Sequence, residues 1–238
     1  MTGAPGTGAP ATATARPAVV RHRALVRLTH WLNVVFLAGM IGSGLQIYAA
    51  FQHIGYHGET FAVPNPFDGT RYQIPASLRL GGWLAGGLRW HFVLAWPFAI
   101  TGIAYVLFLI FSGEWRAILF RPRDVPAAWQ MTKYYLRLRR EPPPQGKHNA
   151  LQKSAYTFVV LLALLSILTG FALAKPVQLP WLTSLFGGYQ LARYWHFVAV
   201  WTFMAFLVVH VVAVFVSDPA SLRAIVTGRY RGRHVADE

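Results

Sequence analysis

Residues 195–217 read WHFVAVWTFMAFLVVHVVAVFVS, without a single Lys, Arg, Asp or Glu. A helix of this length spans the ~30 Å of hydrocarbon in a bilayer, and lipid offers backbone groups no partner outside a helix. The stretch reads as a transmembrane helix that carries two imidazoles. His196 and His210 stand fourteen residues apart, which is roughly 21 Å along the axis and about 40° from a shared face.

Three more charge-free stretches centre on Trp31–Ala50, Phe92–Ser112 and Ser154–Ala174. Each meets the requirement of about 20 residues, and all four hold the Gly or Ser that lets helices or a flat cofactor approach. The expected fold is all-α, an integral-membrane four-helix bundle within residues 19–234, with spans at about 28–50, 91–112, 154–174 and 195–217. Composition agrees: 13% charged residues and a mean hydropathy of +0.38 fall far from the roughly 25% charge of soluble domains. Residues 1–18, opening MTGAPGTGAPATATARP, form a low-complexity run expected to be a disordered tail.

The formal charge of +14 would point to nucleic acid in a soluble protein. Here the basic residues flank apolar runs, so membrane lipid is the expected partner and nucleic acid is not. Seventeen Lys and Arg fall before the first span, between the second and third, and after the fourth; the opposite side has five, Arg71, Arg79, Arg89, Lys175 and Arg193. The positive-inside rule places both termini and the second loop in the cytoplasm. That loop holds DVPAAWQMTKYYLRLRR at Asp124–Arg140, which reads as an interfacial helix on anionic lipid or as a solvated basic linker. The outer loop from Phe51 to Trp90 is too long for mere connection and reads as a cap or a partner-docking element.

No cysteine is present, which excludes disulfides, thiolate metal sites and thioether-linked haem. Of nine histidines, His30, His91, His196 and His210 lie in or at the mouths of apolar helices. Ionisable groups there are functional candidates, and imidazole is an axial ligand of haem iron. The second helix runs inward with His91 at its outer mouth, and the first runs outward with His30 at its inner mouth. The level pairs are therefore His91 with His196 and His30 with His210.

The inner pair matches imperfectly in depth, because Arg27 lies one turn before His30 while Asp218 lies two turns beyond His210; a tilted helix, or Arg27 drawn inward, removes the difference. Arg27, Arg89 and Arg193 are placed to hold haem propionates, or are ordinary flanking charge. The ligand contexts resemble each other, HFVLAW at His91–Trp96 and HFVAVW at His196–Trp201. Gly39, Gly42 and Gly44 either clear space for a porphyrin face or serve helix packing. His53 and His57 form an i,i+4 pair in the outer loop without a third ligand.

RLTHWLN at Arg27–Asn33, the His opening the second helix, KHNALQK at Lys147–Lys153 and the two His fourteen apart on the last helix resemble one family. It comprises the four-helix, di-haem cytochrome b subunits of formate dehydrogenases, nickel–iron hydrogenases and thiosulfate reductases, in the prokaryotic cytochrome b561 superfamily. The likeness covers roughly Val19 to Arg233. It implies a bacterial inner-membrane subunit of a respiratory chain with two haems b, ligated by His30, His91, His196 and His210.

Such a subunit passes electrons between quinone and a catalytic oxidoreductase, here expected to be molybdopterin-dependent, and does not hold the substrate-converting site. By the same likeness Asn149 meets the quinone, although Leu151 stands where the formate dehydrogenase type has glycine; its alternative role is capping the third span. Two rival functions remain: a stand-alone oxidoreductase passing electrons from a small donor such as superoxide to quinone, and a haem-free anchor or transporter.

Overall fold

The computed structural model describes residues 19–20, 23–52, 54, 73–144, 146, 148–217 and 219–230. The expected tail at 1–18, His53, His57 and Lys147 lie outside the described residues. Four long apolar helices form the body: α1 (Ala24–Ala50), α2 (Leu84–Ser112), α5 (Ala150–Ala174) and α7 (Tyr189–Ser217). Shorter helices join them: α3 (Trp115–Ile118), α4 (Val125–Tyr135), α6 (Pro180–Leu185) and α8 (Pro219–Thr227). The one ladder among the described residues pairs Val19–Val20 with Arg229–Tyr230 and brings the two ends of the described chain together.

All four long helices overrun the charge-free stretches. α2 begins before Arg89, α7 before Arg193, α5 before Lys153 and α1 before Arg27, because long basic side chains reach the interface while their backbones stay helical. Their side chains face lipid over much of the circumference; Phe111, Val209 and Leu161 are well exposed.

α1 packs along α2 and α5 along α7 as two hairpins, which touch each other sparsely. Within the first hairpin Gly39 receives Leu94 and Gly87 receives Gln46, while the Thr101 hydroxyl donates to Asn33 Oδ1 at 2.6 Å. Between the hairpins Phe98 packs against a buried cluster of Leu162, Ala199 and Phe203 at mid-depth. At the N-terminal end of α1, α8 folds back onto it, where Arg27 donates to the Val226 carbonyl and Trp31 Nε1 to the Ile225 carbonyl. This return brings α8 level with the start of α1; Asp218, whose depth the sequence sets against that of Arg27, lies outside the described residues.

Segment 75–83 is re-entrant along the side of α1, with Leu78 and Trp83 exposed. The Leu80 amide donates to the Gly42 carbonyl at 3.0 Å, eight residues and so roughly 12 Å from the C-terminal end of α1. The return is a tight backbone crossing: Gly81 has φ +114°, and a Cβ on Gly86 would strike the Gly81 carbonyl. Overpacking two backbones has no side-chain remedy. Gly86→Ala is expected to destabilise the protein by about 1–3 kcal/mol, read as a lower Tm in detergent, whereas Gly102→Ala, with open space around it, should leave the Tm unchanged.

Candidate functional site

Each candidate histidine sits on a long helix whose partner helix brings it to a defined level. His91 and His196 face each other with ring centroids 6.0 Å apart and planes at 74°, and His30 and His210 with centroids 6.4 Å apart at 52°. A metal held at about 2.0 Å by one nitrogen of each of two opposed imidazoles separates the ring centroids by roughly 6 Å. Both pairs fit that separation. The Nδ1 of His30 is buried without a hydrogen-bond partner, and the His210 ring stacks on Phe206 at 5.7 Å and 10°. Among the described residues no cluster of three or more His, Cys, Asp or Glu is present; the imidazoles face each other in twos.

The His91/His196 pair is further constrained by residues that no motif in the sequence singled out. Ser43 Oγ lies 3.0 Å from His91 Nδ1, and Thr169 Oγ1 lies 2.9 Å from His196 Nδ1. Immediately after each comes a glycine whose added Cβ would stand 3.5 Å (Gly44) or 3.4 Å (Gly170) from the neighbouring ring. The signal in sequence was the repeated hydroxyl–glycine pair, SG and TG, in two apolar helices. The three glycines of α1 thus divide their work: Gly39 seats Leu94, Gly42 seats the re-entrant segment and Gly44 borders the His91 ring.

The arginines separate. Arg193 donates to the Phe51 carbonyl at 2.7 Å and lies over the Phe51 ring, tying α7 to the end of α1. Arg27 bonds Val226 through one terminal nitrogen while its Nε is buried without a partner. Arg89 is exposed on α2 and makes no contact described with the histidine pair. Arg79, which the sequence reading counted only as flanking charge, has a buried Nε without a partner on the re-entrant segment, next to the residue that bonds Gly42.

At the inner end Asn149 is the N-cap of α5. Its Oδ1 accepts from the Gln152 amide at 2.8 Å, and the Gln152 side chain accepts from the Asn149 amide at 3.1 Å. The side-chain oxygen of Asn149 is thereby committed to the helix, leaving its amide nitrogen as the group a ligand would meet. α4 anchors beside it through Met131, 2% exposed, with Trp129 on the open side under Lys133.

With this geometry in hand, the family model described as prokaryotic cytochrome b561 matches residues 21–228. The chain belongs to that family. It is 36% identical over 208 residues (87% of this chain, 96% of the relative) to a putative protein-methionine-sulfoxide reductase subunit, YedZ1, of Azospira oryzae. It is 28% identical over 241 residues (94% and 90%) to a probable Ni/Fe-hydrogenase B-type cytochrome subunit of Cupriavidus necator. A protein of that same description from Bradyrhizobium diazoefficiens is 24% identical over 236 residues (92% and 87%). The cytochrome is therefore a multi-pass bacterial membrane protein of b type, a haem carrier of electrons.

The loop before α5 supplies a pH-dependent lock. Asp124 accepts from the Arg121 amide at 2.9 Å and faces Lys153 Nζ of α5 at 3.4 Å. The Arg121 hydrogen bond first, then the Lys153 charge, hold its carboxyl below the usual carboxylate range. A depressed folded-state value stabilises above the unfolded value and is lost as pH falls through the folded one. Asp124→Asn is expected to lower the Tm at pH 7, with the gap to wild type closing as the pH drops below the ordinary carboxylate range; a gap that stays constant with pH would show that Asp124 does not act as a charge.

Proposed function

We propose that this cytochrome is the membrane-anchoring di-haem subunit of a two-part oxidoreductase, exchanging electrons between quinone at the inner half of the membrane and a molybdopterin-dependent catalytic subunit on the outer face. The observation that carries this reading is the pair of opposed imidazole sets at two depths, both using α7. His91 and His196 are the ligands of an outer haem, His30 and His210 those of an inner one. Bound haem supplies reversible one-electron chemistry at iron.

The chain supplies the rest. It presents neutral imidazole nitrogens from half-buried rings and excludes bulk water with lipid-facing apolar side chains. Arg27, Arg79 and Arg193 are the cations proposed to receive carboxylates, and Arg89, exposed on α2, is a further candidate for that role. The two sites are stacked along one rigid helix, so electrons cross the bilayer without any domain moving. The five basic residues of one side against seventeen of the other support cytoplasmic termini in the bacterial inner membrane. With that orientation the His91/His196 end faces the outer compartment.

A catalytic partner is supported by the relatives, which are named as subunits: one of a reductase of methionine sulfoxide in proteins, others of Ni/Fe hydrogenases. The higher identity to the reductase subunit favours an outer partner that consumes electrons drawn from quinol. At the inner end the Asn149 amide nitrogen is the donor proposed for a quinone carbonyl.

Two measurements test this. Purified in mild detergent, the protein should show two b-type haems per chain by pyridine haemochrome; His91→Ala should lose one and His30→Ala the other, and retention of both haems in His91→Ala would remove it as a ligand. Asn149→Asp keeps a good N-cap but loses the amide donor. It should leave Tm and haem content unchanged while slowing quinol-driven haem reduction; an unchanged rate would take Asn149 out of the quinone site.

A further inference from the structure

We infer that Ser43 and Thr169 are paired positioning residues of the outer haem site, fixing the tautomer of His91 and His196 and setting the potential of the iron they hold. The inference rests on the di-haem reading above. Each hydroxyl has a single proton, and each has a carbonyl one helical turn back to receive it: Ser43 to Gly39 at 2.7 Å, Thr169 to Leu165 at 2.7 Å. With the proton spent there, the oxygen is left to accept. Nδ1 of both rings is therefore the N–H donor, and Nε2 keeps its lone pair for a metal.

The two arrangements are copies of one another. WHFVLAWPF at Trp90–Phe98 of α2 aligns with WHFVAVWTF at Trp195–Phe203 of α7, and Ser43-Gly44 of α1 with Thr169-Gly170 of α5. Packing follows the same correspondence. Gly87 and Ala192, each four residues before the histidine, meet Gln46 and the Ala172 cluster respectively, three residues after the hydroxyl in each case. Gly39 against Leu94 becomes Leu165 with Ala199 in the second hairpin, the large and small partners exchanged. Trp96 reaches across to Phe171, and Trp201 packs in the cluster of Leu45, the position matching Phe171.

The hairpins are thus related by a pseudo-twofold axis, and His91 and His196 face each other across it, each held by the hydroxyl of its own hairpin. The inner pair has no such support: no hydroxyl bond to His30 or His210 is described, and His30 Nδ1 is buried unpartnered.

A bond from Nδ1–H to an oxygen raises the basicity of the metal-bound nitrogen and orients the ring, and its loss commonly costs 10- to 100-fold in metal affinity. A more basic ligand favours ferric over ferrous iron, so removing the hydroxyls should raise the potential of the outer haem alone. The loss in haem affinity expected here is about tenfold.

The test uses the full-length cytochrome in mild detergent, titrated potentiometrically at the haem α-band, with haem per chain counted alongside. Ser43→Ala and Thr169→Val should each move one of two redox waves to more positive potential and leave the other in place; the double variant should move the same wave further, and Thr169→Ser, which keeps the hydroxyl, should overlay wild type.

His91→Ala identifies which wave is the outer one. Loss of the outer haem in Thr169→Val with its retention in Thr169→Ser also supports the assignment. Unmoved waves with both haems retained in the double variant, or equal movement of both waves, would overturn it. Fewer than two haems in wild type would instead defeat the di-haem reading on which it stands, and two in His91→Ala would defeat the ligand role of His91.

Discussion

In hydrocarbon an apolar side chain gains nothing by exchanging lipid for protein, so the geometry of this bundle rests on where backbones can come close. Small residues decide that. Gly39, Gly44 and Gly87 let α1 and α2 approach, and Gly170 and Ala192 do the same for α5 and α7. Close packing inside each hairpin sets the imidazoles of α2 and α7 against a hydroxyl of the partner helix. The two rings face each other across the seam between hairpins, where the protein's own packing is sparse.

The same pseudo-symmetry explains why the inner level differs from the outer. Under the correspondence that pairs Ser43 with Thr169 and His91 with His196, His30 maps onto Tyr156 and His210 onto Tyr105. The α1/α7 side of the inner level therefore carries two imidazoles at 6.4 Å. Its image between α2 and α5 carries two phenols, with His148 against Tyr156. Phenols at these positions offer hydroxyl donors in place of neutral nitrogen ligands. A facing pair that lies across a twofold axis arises once per axis, whereas an off-axis pair arises twice unless one copy is replaced. Tyr156 and Tyr105 stand at the image positions, so facing imidazoles occur once at this level, between α1 and α7.

Much of this was legible in the sequence because lipid enforces simple rules. Apolar length gave the four helices, and charge-free runs underestimated their ends only where Arg27, Arg89, Lys153 and Arg193 lie within helical turns. The level argument paired the histidines that face each other. What stayed hidden was of two kinds. Tertiary commitments such as Arg193 on Phe51 and Asn149 in its capping box are decided by neighbours that no local pattern names. The re-entrant segment was hidden because Pro, Gly and aromatic residues read as loop at any depth, and its placement depends on one backbone bond to Gly42.

That segment bears on how the outer end works. A chain that runs along a helix at this depth has backbone groups to satisfy, and Leu80 does so on α1 one residue before Ser43. Arg79 is carried to the same depth, with a buried nitrogen still free to donate. Burying a guanidinium nitrogen without a partner costs more than leaving it in water, so the buried Nε of half-buried Arg79 is a donor that an anionic group would satisfy. A carboxylate at the rim of the outer site has that chemistry, and it would tie the re-entrant segment, α1 and the His91 ring into one unit.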